Sequence, residues 1–179
     1  MAAVLGLDEE TVVKTCENTE GFVVPANFNC PGQIVISGER KALEEVSEIL
    51  KEKGAKRVIE LNTAGPFHTK MLEKASLKLK EELENIEVKN SKYAVIKNID
   101  GKQYDNETDV RDVLSKHITN PVRFEDGIKE MIDMGIDTFV EIGPGKTLSG
   151  FVKKINKDVK VLNINNSESL KLALEELSI

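Results

Sequence analysis

Tryptophan is missing from this chain of 179 residues, and aromatic side chains make up only 4% of it. Its interior must therefore be built from aliphatic residues. Cysteine occurs twice, as Cys16 and Cys30, with no CxxC neighbour for either. That spacing supports two reduced, packed thiols rather than a disulfide framework. Histidine also occurs only twice, as His68 and His117, and no HxxxH or Cys/His cluster is present. A metal site therefore has no ligand set, and no cofactor is expected. No apolar run approaches the roughly 18 residues of a membrane span, and no charged-then-apolar leader opens the chain. A cytoplasmic protein without a membrane partner is expected. Acidic residues outnumber basic ones, 31 to 25, for a net charge of −6. That balance argues against a nucleic-acid partner, which needs a basic face to neutralise phosphates.

What is present is a folded balance, 40% hydrophobic and 31% charged. The chain enters an apolar run at residues 2–7 with no polar lead-in, as if cut from inside something longer. The patterning then predicts a strand at 2–7 and a helix capped by Asp8, with Glu9 and Glu10 in its first turn. Strands follow at 23–29 and 33–37, joined through Pro31-Gly32. A helix at 39–53 carries Leu43, Val46, Ile49 and Leu50 at helical spacing and ends at Gly54. A strand at 57–61 completes β-α-β-β-α-β, the ferredoxin-like order.

Beyond residue 63 the pattern changes. Leu72, Ala75, Leu79, Leu83 and Ile86 form a helical stripe. A short strand is expected at 93–96, and a helix at 109–118 capped by Thr108 or Asp109. Pro121 suits the first turn of the next helix, which bears Phe124, Ile128, Met131 and Ile132. Strands at 138–142 and 159–164 alternate with helices at 147–155 and from Ser167, read as a cap, to Leu177. Alternating strands and helices imply a parallel sheet, but about three strands are few for one.

His68 follows Gly65-Pro66-Phe67 at the mouth of a helix, where a neutral imidazole suits a general base. His117, near a helix end, reads first as structural. Gly145-Lys146-Thr147 imitates a phosphate loop, but that motif needs glycine where Val140 stands, so a tight strand-to-helix turn is the better reading. Asn27 and Asn29 flank Phe28 in a strand, where asparagine is disfavoured, and so suggest a hydrogen-bonding task. Lys153, Lys154, Lys157 and Lys160 concentrate positive charge in an acidic chain, which fits a solvated face or an acidic protein partner.

Five stretches carry a resemblance over the whole chain: residues 1–7, residues 24–38, Gly65-Pro66-Phe67-His68, Asn120-Pro121-Val122 and Glu141-Ile142-Gly143-Pro144-Gly145-Lys146. With these, the chain resembles the malonyl-CoA:acyl-carrier-protein transacylases of fatty-acid synthesis. The resemblance implies an α/β fold: a ferredoxin-like subdomain, residues 1–63, and the C-terminal part of an α/β-hydrolase-like acyltransferase domain, residues 64–179. It implies ping-pong transfer from malonyl-CoA to acyl carrier protein, in which a serine on a G-H-S-x-G elbow is the nucleophile and a histidine its base. His68 matches that histidine. His117 stands where the family usually has glutamine and would orient His68 through its backbone carbonyl. Phe67 would restrict the acyl α-position, with Asn27 and Asn29 also on the substrate side. Lys153 and Lys154 would face the carrier protein.

The sequence departs from the family at one point that decides its chemistry. No serine lies in a Gly-x-Ser-x-Gly context; Ser37 and Ser149 precede glycines without the rest of the motif. The elbow, the oxyanion-hole segment and the arginine that grips the malonyl carboxylate belong to the family's N-terminal portion. The expectation is thus a fragment that carries the base without the nucleophile, inactive alone, and prone to self-association through an incomplete sheet. The alternative is a non-catalytic module that binds acyl carrier protein.

Overall fold

A computed structural model describes residues 1–105 and 107–178. The chain divides into two units, Met1–Gly127 and Ile128–Ile179.

The first unit opens with β1 (Ala2–Leu5), α1 (Glu9–Glu17), β2 (Val23–Cys30), β3 (Gln33–Gly38), α2 (Arg40–Glu52) and β4 (Arg57–Glu60). The four strands form one antiparallel sheet in the order β2-β3-β1-β4. Local chemistry explains the boundaries. The Asp8 carboxylate accepts the Thr11 amide at 2.8 Å and starts α1. The turn Pro31-Gly32 joins β2 to β3, with Gly32 at φ 71°. Gly38 lies where an added Cβ would come within 2.1 Å of the Phe22 carbonyl oxygen, so only glycine fits. Val12 and Cys16 of α1 and Ala42, Leu43, Val46 and Leu50 of α2 pack with Ala2, Val4, Phe28, Ile34 and Ile36 from the sheet. Each large side chain so buried contributes about 1.5–3 kcal/mol. Cys16 and Cys30 are both free and buried, and burial pushes the Cys16 thiol up to about 12.

Next come a turn of 3-10 helix at Lys70–Leu72, then α3 (Glu73–Glu84), α4 (Val110–His117) and α5 (Phe124–Asp133), inside which the division between the units falls. Arg111 of α4 donates to the Leu83 and Ile86 carbonyls at 2.9 and 2.6 Å, so α4 clamps the end of α3.

The second unit contains β5 (Thr138–Ile142), α6 (Thr147–Ile155), β6 (Lys160–Ile164) and α7 (Ser167–Leu177). Its strands pair in parallel, Thr138 opposite Lys160 and Ile142 opposite Ile164. Among the described residues no helix is long and apolar enough to cross a membrane.

Four expectations are corrected. The strand at 93–96 is absent: Tyr93 is 73% exposed, and only an isolated bridge joins Ile96 to Gln103. Four alternating residues with no sheet beside them cannot form more than such a stub. Among the described residues the second part therefore holds two paired strands rather than about three. Pro121 does not open a helix. Val122 instead bridges β2, donating to the Ala26 carbonyl and accepting from the Phe28 amide, each at 2.8 Å, which satisfies backbone groups on the outer edge of β2. The cap of α7 is Asn166 rather than Ser167, in a reciprocal capping box with Ser169.

Candidate active site

His68 sits in a turn that holds it in an unusual backbone state. Its φ is 59°, in the left-handed region that costs a non-glycine residue about 1–3 kcal/mol. The buried Thr69 hydroxyl keeps the turn closed by donating to the Pro66 carbonyl at 2.7 Å and accepting the Met71 amide at 3.3 Å. Phe67 beside it is exposed.

The helix that matters to His68 is not the one that follows it. Its Nδ1 lies 3.1 Å from the backbone carbonyl oxygen of His117, the last residue of α4. The final carbonyls of a helix lack partners within it and carry its partial negative charge. Here side chains take up three of them: Ser76 of α3 donates to the Ser115 carbonyl at 2.7 Å, Asn120 to the Lys116 carbonyl at 2.8 Å, and His68 serves His117. A carbonyl can only accept, so Nδ1 carries the hydrogen, and the neutral form of this ring has its lone pair on Nε2. A positive charge forming on His68 would meet the negative end of α4, the reverse of the helix-start environment expected from the sequence.

His117 contributes more than its carbonyl. Its ring lies 4.9 Å from the His68 ring, centroid to centroid, tilted by 37°. Its Nε2 is buried with no hydrogen-bond partner. Burial, and secondarily the charge that His68 can carry, hold the His117 pKa below the ordinary histidine value.

Asn27 and Asn29 are half-buried, alternating with the buried Ala26, Phe28 and Cys30. β2 has one more residue than β3 between Pro25 and Asn27, and again between Phe28 and Cys30, so Asn29 is itself an extra, unpaired residue while Asn27, opposite Val35, follows the extra Ala26. Arg123 lies 4.0 Å above the Phe28 ring centroid and pairs with Glu9 and Asp126. That arginine is engaged in holding the fold.

The Gly143-Pro144-Gly145 loop is closed from within. The Glu141 carboxylate accepts the amides of Leu148 and Ser149, at 3.2 and 2.8 Å, and also the Ser149 hydroxyl. These bonds, the hydroxyl's first, hold Glu141 below the usual carboxylate range. The α6 N-terminus thus already has an anion, its own. Lys153 and Lys154 lie in the last turn of α6. The Lys153 ammonium donates to the Val159 carbonyl at 2.6 Å, while Lys154 is exposed. Among the described residues no three His, Cys, Asp or Glu side chains gather into a metal site.

Sequence reasoning missed Thr69, Arg111 and Glu141. The Pro66–Thr69 spacing marks a hydroxyl-closed turn and could have flagged the first. Glu141 at a strand end ahead of a helix start could have flagged the third. Nothing in the local sequence announces Arg111.

The acyl transferase domain family matches residues 1–171. A malonyl CoA-acyl carrier protein transacylase from Bacillus subtilis is 43% identical over 180 residues, covering 99% of this chain and 57% of that protein. The crystal structure of such a transacylase from Clostridium perfringens superposes with a TM-score of 0.96 at 45% identity, covering 99% of this chain and 56% of that one. A malonyl-transacylase in complex with its type II PKS acyl-carrier protein gives a TM-score of 0.94 at 34% identity, over 98% of this chain and 57% of that one. The chain thus spans little more than half the length of the relatives it matches.

Proposed function

This chain belongs to the acyl transferase domain family, and we propose that it is the base-bearing portion of a malonyl-CoA:acyl-carrier-protein transacylase. The observation that carries the reading is the bond from His68 Nδ1 to the His117 carbonyl, which leaves Nε2 free to accept a proton. Residues 1–63 are read as the ferredoxin-like subdomain. Their β-α-β-β-α-β order and the strand order β2-β3-β1-β4 support that reading. Residues 64–179 are read as the C-terminal part of the α/β-hydrolase-like domain.

In this mechanism His68 Nε2 takes the proton of a serine hydroxyl that lies outside this sequence. The serine oxygen attacks the malonyl thioester carbon, the carbon–sulfur bond breaks, and Nε2–H returns the proton to the departing CoA sulfur. The carrier thiol then gives its proton to Nε2 and attacks the malonyl ester. The serine oxygen leaves and recovers the proton. Phe67 bounds the acyl α-position, Asn27 and Asn29 lie on the substrate side, and Lys153 and Lys154 face the acidic carrier protein.

The test joins this chain behind the portion of the B. subtilis relative that it does not cover. Malonyl transfer to the carrier protein is expected from the hybrid and not from the chain alone. His68→Asn in the hybrid should cost about 10²–10⁴-fold, the usual scale of general base catalysis. Transfer by the isolated chain, or a hybrid indifferent to His68, would overturn the reading. Lys153→Glu with Lys154→Glu should weaken carrier binding and flatten its salt dependence.

A further inference from the structure

His117 touches His68 in two places, and only one is explained by a backbone carbonyl that any residue would supply. The carbonyl meets the Nδ1 edge of the His68 ring at 3.1 Å. The His117 imidazole stands against the same ring at 4.9 Å between centroids. The hydrogen bond alone fixes one point on the His68 ring. A second, bulky contact restricts rotation about that point. The need for restraint is evident in the backbone: His68 sits at φ 59°, held by the Thr69 hydroxyl, so its side chain leaves the turn in a direction set by strain.

From this geometry we infer that the His117 side chain is a positioning residue for His68: its ring packs on the His68 ring and keeps Nδ1 against the His117 carbonyl, the bond that fixes the Nδ1–H tautomer. The inference deepens the proposed function, because it concerns how the base of that reaction is held.

Three observations favour a ring kept neutral. The Nε2 of His117 is buried without a partner, and a charged ring would need to donate from it. A charge on His68 would oppose a second one on the adjacent His117 ring. The one acidic side chain of α4, Asp112, is paired with Lys116 and with Lys80 of α3, at 2.6 and 3.4 Å, rather than with His117. Tilted aromatic pairs at this separation are favourable contacts beyond the area they bury.

The chain has only two histidines, so nitrogen-15 spectra of the imidazoles can be assigned with single substitutions. In the natural chain at neutral pH, His68 should show one protonated nitrogen, Nδ1. His117→Phe keeps a ring and the carbonyl, and should preserve that signal. His117→Gln keeps the carbonyl and removes the ring. His68 should then lose its single Nδ1–H form and show both tautomers in exchange. His117→Ala should do the same more completely. If the alanine variant fails to fold, the glutamine and phenylalanine variants decide between them. His68 spectra that are alike in those two variants would overturn the inference, whichever tautomer they show. The readout needs no acyl transfer, so an inactive hybrid with a locked His68 would refute the proposed function and leave this inference standing.

Discussion

The two units spend similar sequence on different outcomes. In the first, a four-stranded antiparallel sheet and two helices enclose an interior in which Ile36 and Leu50 are fully buried. In the second, the strand Thr138–Ile142 carries Phe139, Val140 and Ile142, yet Val140 is 39% and Ile142 78% exposed. Parallel strands of this composition normally have helices on both faces and further strands beside them. Two strands and their two helices cannot provide that enclosure, since burial depends on how many elements share one core. Hydrophobic patterning therefore predicts that a strand forms, while the neighbours decide whether it is buried.

The contrast is broken most directly by truncation. Leu50→Ala should destabilise the first unit by about 2–5 kcal/mol in denaturant unfolding, since the site is closed on all sides. Ile142→Ala should stay within about 0.5 kcal/mol, as exposed substitutions do. Equal effects would erase the distinction. Association comes next: a chain that associates through the open edge of β5 should shift to lower mass in sedimentation on Ile142→Lys. Leu77→Lys, at an exposed apolar site of the first unit, should leave the mass unchanged.

Acid should separate the units more finely. His117 resists protonation in the fold, so below its ordinary value near 6.5 the unfolded chain binds more protons and stability falls as pH falls. His117→Gln should remove that slope from the first unit. Glu141 is depressed, so its contribution is complete above the usual carboxylate range and is lost as pH drops through its lowered value. Hydrogen exchange at the Leu148 and Ser149 amides should report that loss, and Glu141→Gln should flatten it. Asp8, Asp105 and Asp112 are depressed too, by their own hydrogen bonds. The histidine slope, together with that of the partly buried Met1 ammonium, which is also held below its ordinary value, therefore distinguishes the first unit. A modest effect is expected from Lys153→Met, which removes one bond to the Val159 carbonyl, about 0.5–1.5 kcal/mol.

Much of this was legible beforehand wherever chemistry is local. Asp8 announces α1, and Pro31-Gly32 announces the hairpin turn. Leu43, Val46 and Leu50 announce the buried face of α2. The acyl transferase family was legible from its motifs, His68 among them. Local reading failed where partners come from afar. Nothing around Pro121 shows that Val122 would find β2 some ninety residues earlier in the chain. Nothing around His68 shows that its ring would serve the end of α4 rather than the start of the next helix; only the family resemblance pointed to the His117 carbonyl. The second role of His117 lies in a contact across 49 positions, which no spacing rule reaches.

The bridge at Val122 has a practical consequence for watching this protein at work. Val122 follows His117 by five residues and is pinned to β2 on both sides, so the carbonyl that anchors His68 is moored to the small sheet. The Phe28 amide, donated to Val122, is then a gauge of that mooring. Slow exchange at Phe28 reports an anchored His68. A ligand that pries at Asn27 or Asn29 should quicken it.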